Sequence, residues 1–178
     1  SDQETAWAGA FANLVRDWSL TVRDDVGFRC ADTEAVLTKV QPEIVFVDHI
    51  QQTHKAHGLS EYESLSAETY AWRQVALQRK IPVVLLSQLN RTGESEEAEP
   101  LASSLKGTGV LEQVADFVWL IFWTLVPERA EGMQLIPAHW EPRLRVAKSR
   151  PGQRGTRRLV FDGPRLHFEY NDTVIQKP

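Results

Sequence analysis

Four stretches carry side chains whose types and spacing can do chemistry. In "IVFVDHIQQ", residues 44–52, an apolar run ends in Asp48. A carboxylate at the end of a buried strand can hold Mg²⁺ beside a nucleotide phosphate, as in a Walker B strand. It can equally cap the next turn. "IPVVLLSQLNR", residues 81–91, ends in Ser87, Gln88, Asn90 and Arg91. The Gln88 amide can donate to a phosphate oxygen while its carbonyl accepts from water, which suits it to sensing a γ-phosphate. The plainer alternative is a polar residue at a strand end.

"LRVAKSRPGQRGTRR", residues 144–158, holds Arg145, Lys148, Arg150, Arg154, Arg157 and Arg158, with no acid among them. Residues two apart on a strand share a face, so Lys148 and Arg150 project together and can grip a phosphate chain. An arginine donated in trans is worth about 10³ to 10⁵ in rate, or roughly 4 to 7 kcal/mol of barrier. A solvated basic edge strand, which deters aggregation, accounts for the same residues. In "SLKGTGVLEQVAD", residues 104–116, Lys106 stands beside Gly107 and Gly109. Such a loop lets backbone N–H groups approach a phosphate, and so does many an ordinary turn.

The elements that must position these residues follow from periodicity. Residues 5–17 predict an amphipathic helix, with Trp7, Phe11, Leu14 and Val15 at helical spacing. Residues 19–25 predict a short strand with Leu20 and Val22 on one face. Residues 31–40 predict a helix capped by Asp32 or Thr33 and ended by Pro42. "EIVFVDHI" and "IPVVLLSQ" read as buried strands on either side of a long helix over 60–80. Residues 91–109 read as a loop. A helical turn and a strand fill 110–123, where Trp119 and Trp123 read as core among apolar neighbours. "LRVAKSR" and "TRRLVFD" flank "PGQRG" as a hairpin, and "RLHFEY" closes the set. Doubly apolar strands alternating with helices predict a parallel sheet covered on both faces and extended by antiparallel strands. Ligands bind such sheets at the carboxyl ends of the strands, where Asp48 and Gln88 fall.

Bulk properties narrow the field. Hydrophobic residues make up 42% and charged residues 25%, an ordinary globular balance. The net charge of −4 gives no global basic signal for nucleic acid. A single cysteine, Cys30, excludes an internal disulfide, fits a reducing compartment such as the cytoplasm, and reads as a small buried hydrophobe. No apolar run approaches the roughly 18 residues of a membrane span. His54 and His57 lack a third ligand at convincing spacing and read as surface histidines rather than a metal site.

The ordered set "EIVFVDHIQQ", "IPVVLLSQLNR", "LKGTGVLEQVADFVWLIF", "LRVAKSRPGQRGTRRLVF" resembles the RecA-type motor domain of DnaB-like replicative helicases. The resemblance spans residues 19–170 and implies an α/β fold: a RecA-like, mostly parallel sheet flanked by helices, with C-terminal antiparallel hairpin strands. It implies that Asp48 is the Mg²⁺-binding Walker B acid and Gln88 the sensor linking phosphate to the DNA loop. It implies that Lys106, Gly107 and Gly109 contact the backbone of single-stranded DNA. Lys148 and Arg150 would reach the ATP bound by a neighbouring subunit of a homo-hexamer, in a bacterial or phage-type protein of the cytoplasm.

The sequence departs from the family pattern in several places. No G-x-x-x-x-G-K-[ST] occurs, and neither does the Ser-Leu-Glu-Met segment with the catalytic glutamate. Residues 1–178 are therefore expected to form the C-terminal part of one motor domain, unable to hydrolyse ATP unaided. His49 stands where the family has Tyr. Four glutamates in 92–100 would repel phosphate near the DNA channel. Residues 124–142 form a longer insertion than is usual. Two alternatives stay open: a RecA-like module that has lost its ATPase and binds DNA or protein, and another RecA-family ATPase.

Overall fold

A computed structural model describes residues 19–25, 27–53, 57–89, 100–105, 109–131, 134–150 and 152–175. The expected helix over 5–17 lies outside the described residues, as do His54, Lys106, Gly107 and the glutamates between 92 and 99.

Helix α1, Glu34–Val40, is entered through a 3₁₀ turn, Cys30–Thr33. Asp32 closes that turn by accepting from the Arg29 N–H at 3.0 Å, and the Thr33 hydroxyl donates to the Cys30 carbonyl at 2.6 Å. The helix ends one residue before Pro42, where Gln41 takes the left-handed conformation. Helix α2, Glu61–Arg79, begins with a reciprocal capping box. Ser60 Oγ accepts from the Glu63 N–H at 3.2 Å, and the Glu63 carboxylate accepts from the Ser60 N–H at 2.8 Å. Its residues Leu65, Thr69, Trp72 and Val75 recur at helical spacing and are buried. The apolar members pack with Cys30, Leu37, Val47, Ile50 and Leu111 into one core.

Strands β1, Val45–Val47, and β2, Val83–Leu85, pair in parallel with Val47 opposite Leu85. Two further bonds carry the pairing past the strand ends. Leu86 N–H donates to the Val47 carbonyl at 2.9 Å, and Ile50 N–H donates to the Leu86 carbonyl at 3.0 Å. The chains thus leave the sheet side by side at Asp48 and Gln88. A short helix α3, Gly109–Val114, leads into the second sheet. This sheet is antiparallel, in the order β3 (Phe117–Val126), β6 (His139–Ser149), β7 (Gly155–Asp162), β8 (His167–Ile175). Between its first two strands, β4 (Arg129–Glu131) and β5 (Gln134–Ile136) form a separate hairpin. The 124–142 insertion is therefore strand extension plus hairpin.

Three local expectations are corrected. The parallel strands are not covered on both faces: Phe46 on β1 is 63% exposed and β2 is only half-buried, because the helices described pack on one side of the pair. Residues 19–25 form no strand, and Leu20 and Val22 are exposed. An alternating pattern needs a partner strand, and none pairs with this segment among the described residues. Trp119 and Trp123 are not core: they are 63% and 46% exposed. Strand β3 alternates strictly, burying Val118, Leu120, Phe122 and Thr124 and turning Trp119, Ile121 and Trp123 to the other face. Apolar neighbours in sequence fix the alternation of a strand but not whether anything covers both of its faces.

Candidate functional site

The ends of β1 and β2 build one half of the site. Gln51 Nε2 donates to Ser87 Oγ at 2.7 Å, and the Gln88 N–H donates to Gln51 Oε1 at 3.3 Å. Gln88 Nε2 donates to His49 Nε2 at 3.1 Å. Asp48 has a side chain 77% exposed, and the His49 ring is its one ion-pair-range neighbour among the described residues, Nδ1 standing 4.0 Å from Asp48 Oδ1. Its carboxylate is available to a hard cation. No group of three His, Cys, Asp or Glu converges among the described residues. The donor set thus suits a metal held by one carboxylate here and otherwise by phosphate and water, which is the habit of Mg²⁺.

One residue past Gln88, Leu89 forms an antiparallel bridge with Leu105, the residue before Lys106. The β2 tip is thereby tied to the start of the glycine loop. Gly109 opens α3, and a Cβ added there would meet nothing within 4 Å. Internal packing does not demand glycine at that position.

Lys148, at the end of β6, and Arg150, just past it, are the candidates for the other half. Both side chains reach the Gln113 carbonyl, just past a bulge that breaks the expected alternation: Val146 pairs with Trp119 and Lys148 with Val118. Lys148 Nζ donates to the carbonyls of Glu112 and Gln113 at 2.5 and 3.0 Å. The Arg150 guanidinium donates to the Gln113 carbonyl at 3.5 Å and meets Asp116 Oδ1 at 2.8 Å. Arg73, from α2, donates to the Val114 carbonyl at 2.6 Å and stands 3.7 Å from the same Asp116 oxygen. Three cations therefore satisfy the last carbonyls of α3, where the helix dipole also favours positive charge. Among the described residues no hydrogen bond or ion pair joins Lys148 or Arg150 to Asp48 or Gln88. Asp48 and Gln88 are linked through His49, and Lys148 and Arg150 share the Gln113 carbonyl.

Sequence reasoning missed three participants. Asp116 and Arg73 lie outside the strand-end pattern, and the only signal for Asp116 was its position just before an apolar strand. His49 counted as a mild departure, yet it holds the Gln88 amide. Away from these groups, burial pushes the Cys30 thiol up to about 12, aided by Glu68 and Glu34, so it stays protonated and is no nucleophile. Burial also raises the Glu68 carboxyl, although that group accepts from the Cys30 N–H at 2.8 Å.

The family model for the DnaB-like helicase C terminal domain matches residues 2–170. Replicative DNA helicase DnaB of Rickettsia felis is 31% identical over 136 residues, covering 67% of this chain and 27% of that protein. The Buchnera aphidicola protein of the same name is 30% identical over 129 residues, covering 71% of this chain and 27% of that protein. The chain thus spans about a quarter of the length of these curated relatives. A solved DnaB-like replicative helicase, described with its interactions with primase, superposes with a TM-score of 0.64 at 22% identity, covering 88% of this chain and 39% of that one. A second solved structure, described as an ATPase domain, gives 0.65 at 21% identity, covering 93% and 66%. At these identities the two structures establish the fold alone, a RecA-like one.

Proposed function

The chain belongs to the DnaB-like helicase C-terminal domain family, and from that premise we propose that it is part of an ATP-driven, ring-forming replicative DNA helicase. The observation that carries the reading is the split between the two polar clusters. Asp48 and Gln88 emerge together from the parallel strands, while Lys148 and Arg150 lie on the other sheet. A nucleotide site assembled between subunits of a homo-hexamer needs such halves on separate surfaces.

In this reading Asp48 would hold Mg²⁺, which would supply neutralisation of phosphate charge. Lys148 and Arg150 of the adjacent subunit stabilise charge that develops on the transferred phosphoryl group. Gln88 senses the γ-phosphate, and the Leu89–Leu105 bridge carries its displacement towards Lys106, Gly107 and Gly109. Those residues hold single-stranded DNA by its backbone, so sequence preference is slight.

The test is ATP hydrolysis by the full-length protein with and without single-stranded DNA. We expect DNA-stimulated turnover that falls about 10³-fold or more in Arg150→Ala, on the scale of a lost arginine finger. Absence of turnover, with DNA binding retained, would sink the helicase reading in favour of a binding module.

A further inference from the structure

The cations proposed to act on a neighbour's nucleotide are held here by their own chain. Lys148 Nζ bonds two carbonyls at the end of α3, and Arg150 is paired with Asp116. The Asp116 attachment is double, because its backbone carbonyl also accepts from the Arg150 N–H at 3.1 Å. The same carboxylate oxygen lies 2.8 Å from Arg150 and 3.7 Å from Arg73. Arg73 is anchored independently of Asp116, through the Val114 carbonyl and its place on α2. Asp116 therefore has two competing cationic partners, one fixed and one that has to leave for a phosphate.

We propose that Asp116 is a positioning residue for Arg150, holding it docked on its own subunit, and that Arg73 weakens the hold by sharing the carboxylate. The inference rests on the reading that Lys148 and Arg150 act in trans. In the docked state seen here Arg150 is withheld from the neighbour. When it extends, Arg73 takes up the Asp116 carboxylate, so no charge is left unpaired and the cost of release is small. Two discrete arrangements of one ion pair then set how often the arginine is available.

The two partners predict effects of opposite sign, which a merely structural role does not. In the full-length protein, Asp116→Asn should raise DNA-free ATP turnover, and Arg73→Gln should lower it by tightening the Asp116–Arg150 pair. Each change should be about two- to fivefold, the scale of a single exposed ion pair. Both should fall on kcat rather than on KM for ATP, since the nucleotide is bound by the neighbour's residues. Asp116→Glu should restore wild-type turnover, and thermal melting of each variant guards against misfolding. Turnover that falls in both variants, or that neither variant moves, overturns the inference. If Arg150→Ala keeps full turnover, the trans reading itself fails and this inference with it. If Arg150→Ala abolishes turnover but the opposite signs are missing, only the docking falls.

Discussion

Gln88 donates its side-chain amide to the ring of His49 at 3.1 Å, so the tip of β2 is read against the residue that follows Asp48 on β1. The contact spans the two parallel strands at the end where the register releases them. Asp48 adjoins His49 in the chain, His49 is hydrogen-bonded to Gln88, and the next residue, Leu89, bridges to Leu105. His49→Phe keeps the ring but removes the acceptor. The full-length variant should bind single-stranded DNA with a smaller difference between its ATP- and ADP-bound forms, by about threefold or more out of the 5- to 150-fold range typical of such couplings. Fluorescence anisotropy in both nucleotides measures it, and an unchanged ratio would remove His49 from this chain of contacts.

Backbone recognition of DNA carries a salt signature. Single-strand binding loses affinity with a log–log slope of about −0.7 per phosphate contact. Lys106→Ala should therefore flatten the slope by about 0.7 and weaken binding alike on all sequences. A slope that does not move would mean that Lys106 touches no phosphate.

The entry to α2 can be tested on stability alone. Ser60→Ala deletes the hydroxyl that accepts from the Glu63 N–H and strands one amide at the helix start. The loss should be about 1 kcal/mol, read as a lower urea midpoint at constant slope. A loss below about 0.3 kcal/mol would indicate that water replaces the cap at no cost.

Burial raises the Glu68 carboxyl above the usual glutamate value, so the folded chain holds that proton more tightly than the unfolded one. Its contribution to stability is full below the usual value and is lost as pH rises through the raised one. Glu68→Gln removes the group that titrates. The variant should gain on the wild type as pH climbs through that window and hold a constant difference below it. Urea melts across the window decide the matter. A variant that loses ground with rising pH would mean that the bond from the Cys30 N–H outweighs desolvation.

How much of this could be read from the chain depended on whether the cause was local. The long helix was expected over 60–80 and spans Glu61–Arg79, because Ser60, Glu63 and the apolar spacing that sets it lie within a few turns. The parallel pair and the hairpin around "PGQRG" were legible for the same reason, and so was the burial of Cys30. The order of the four motifs alone pointed to the family, and with it to Asp48 and Gln88 at adjacent strand ends. Only the tertiary structure decided that residues 19–25 find no partner strand among the described residues and that Trp119 stands on an exposed face, since covering a face takes elements far away in sequence. It likewise decided that Lys148 and Arg150 rest on the end of α3, with Asp116 shared between Arg150 and Arg73. Local periodicity says which way a side chain points along its own element. The charges it meets there are set by how α2, α3 and β6 pack together, which spacing along one strand cannot encode.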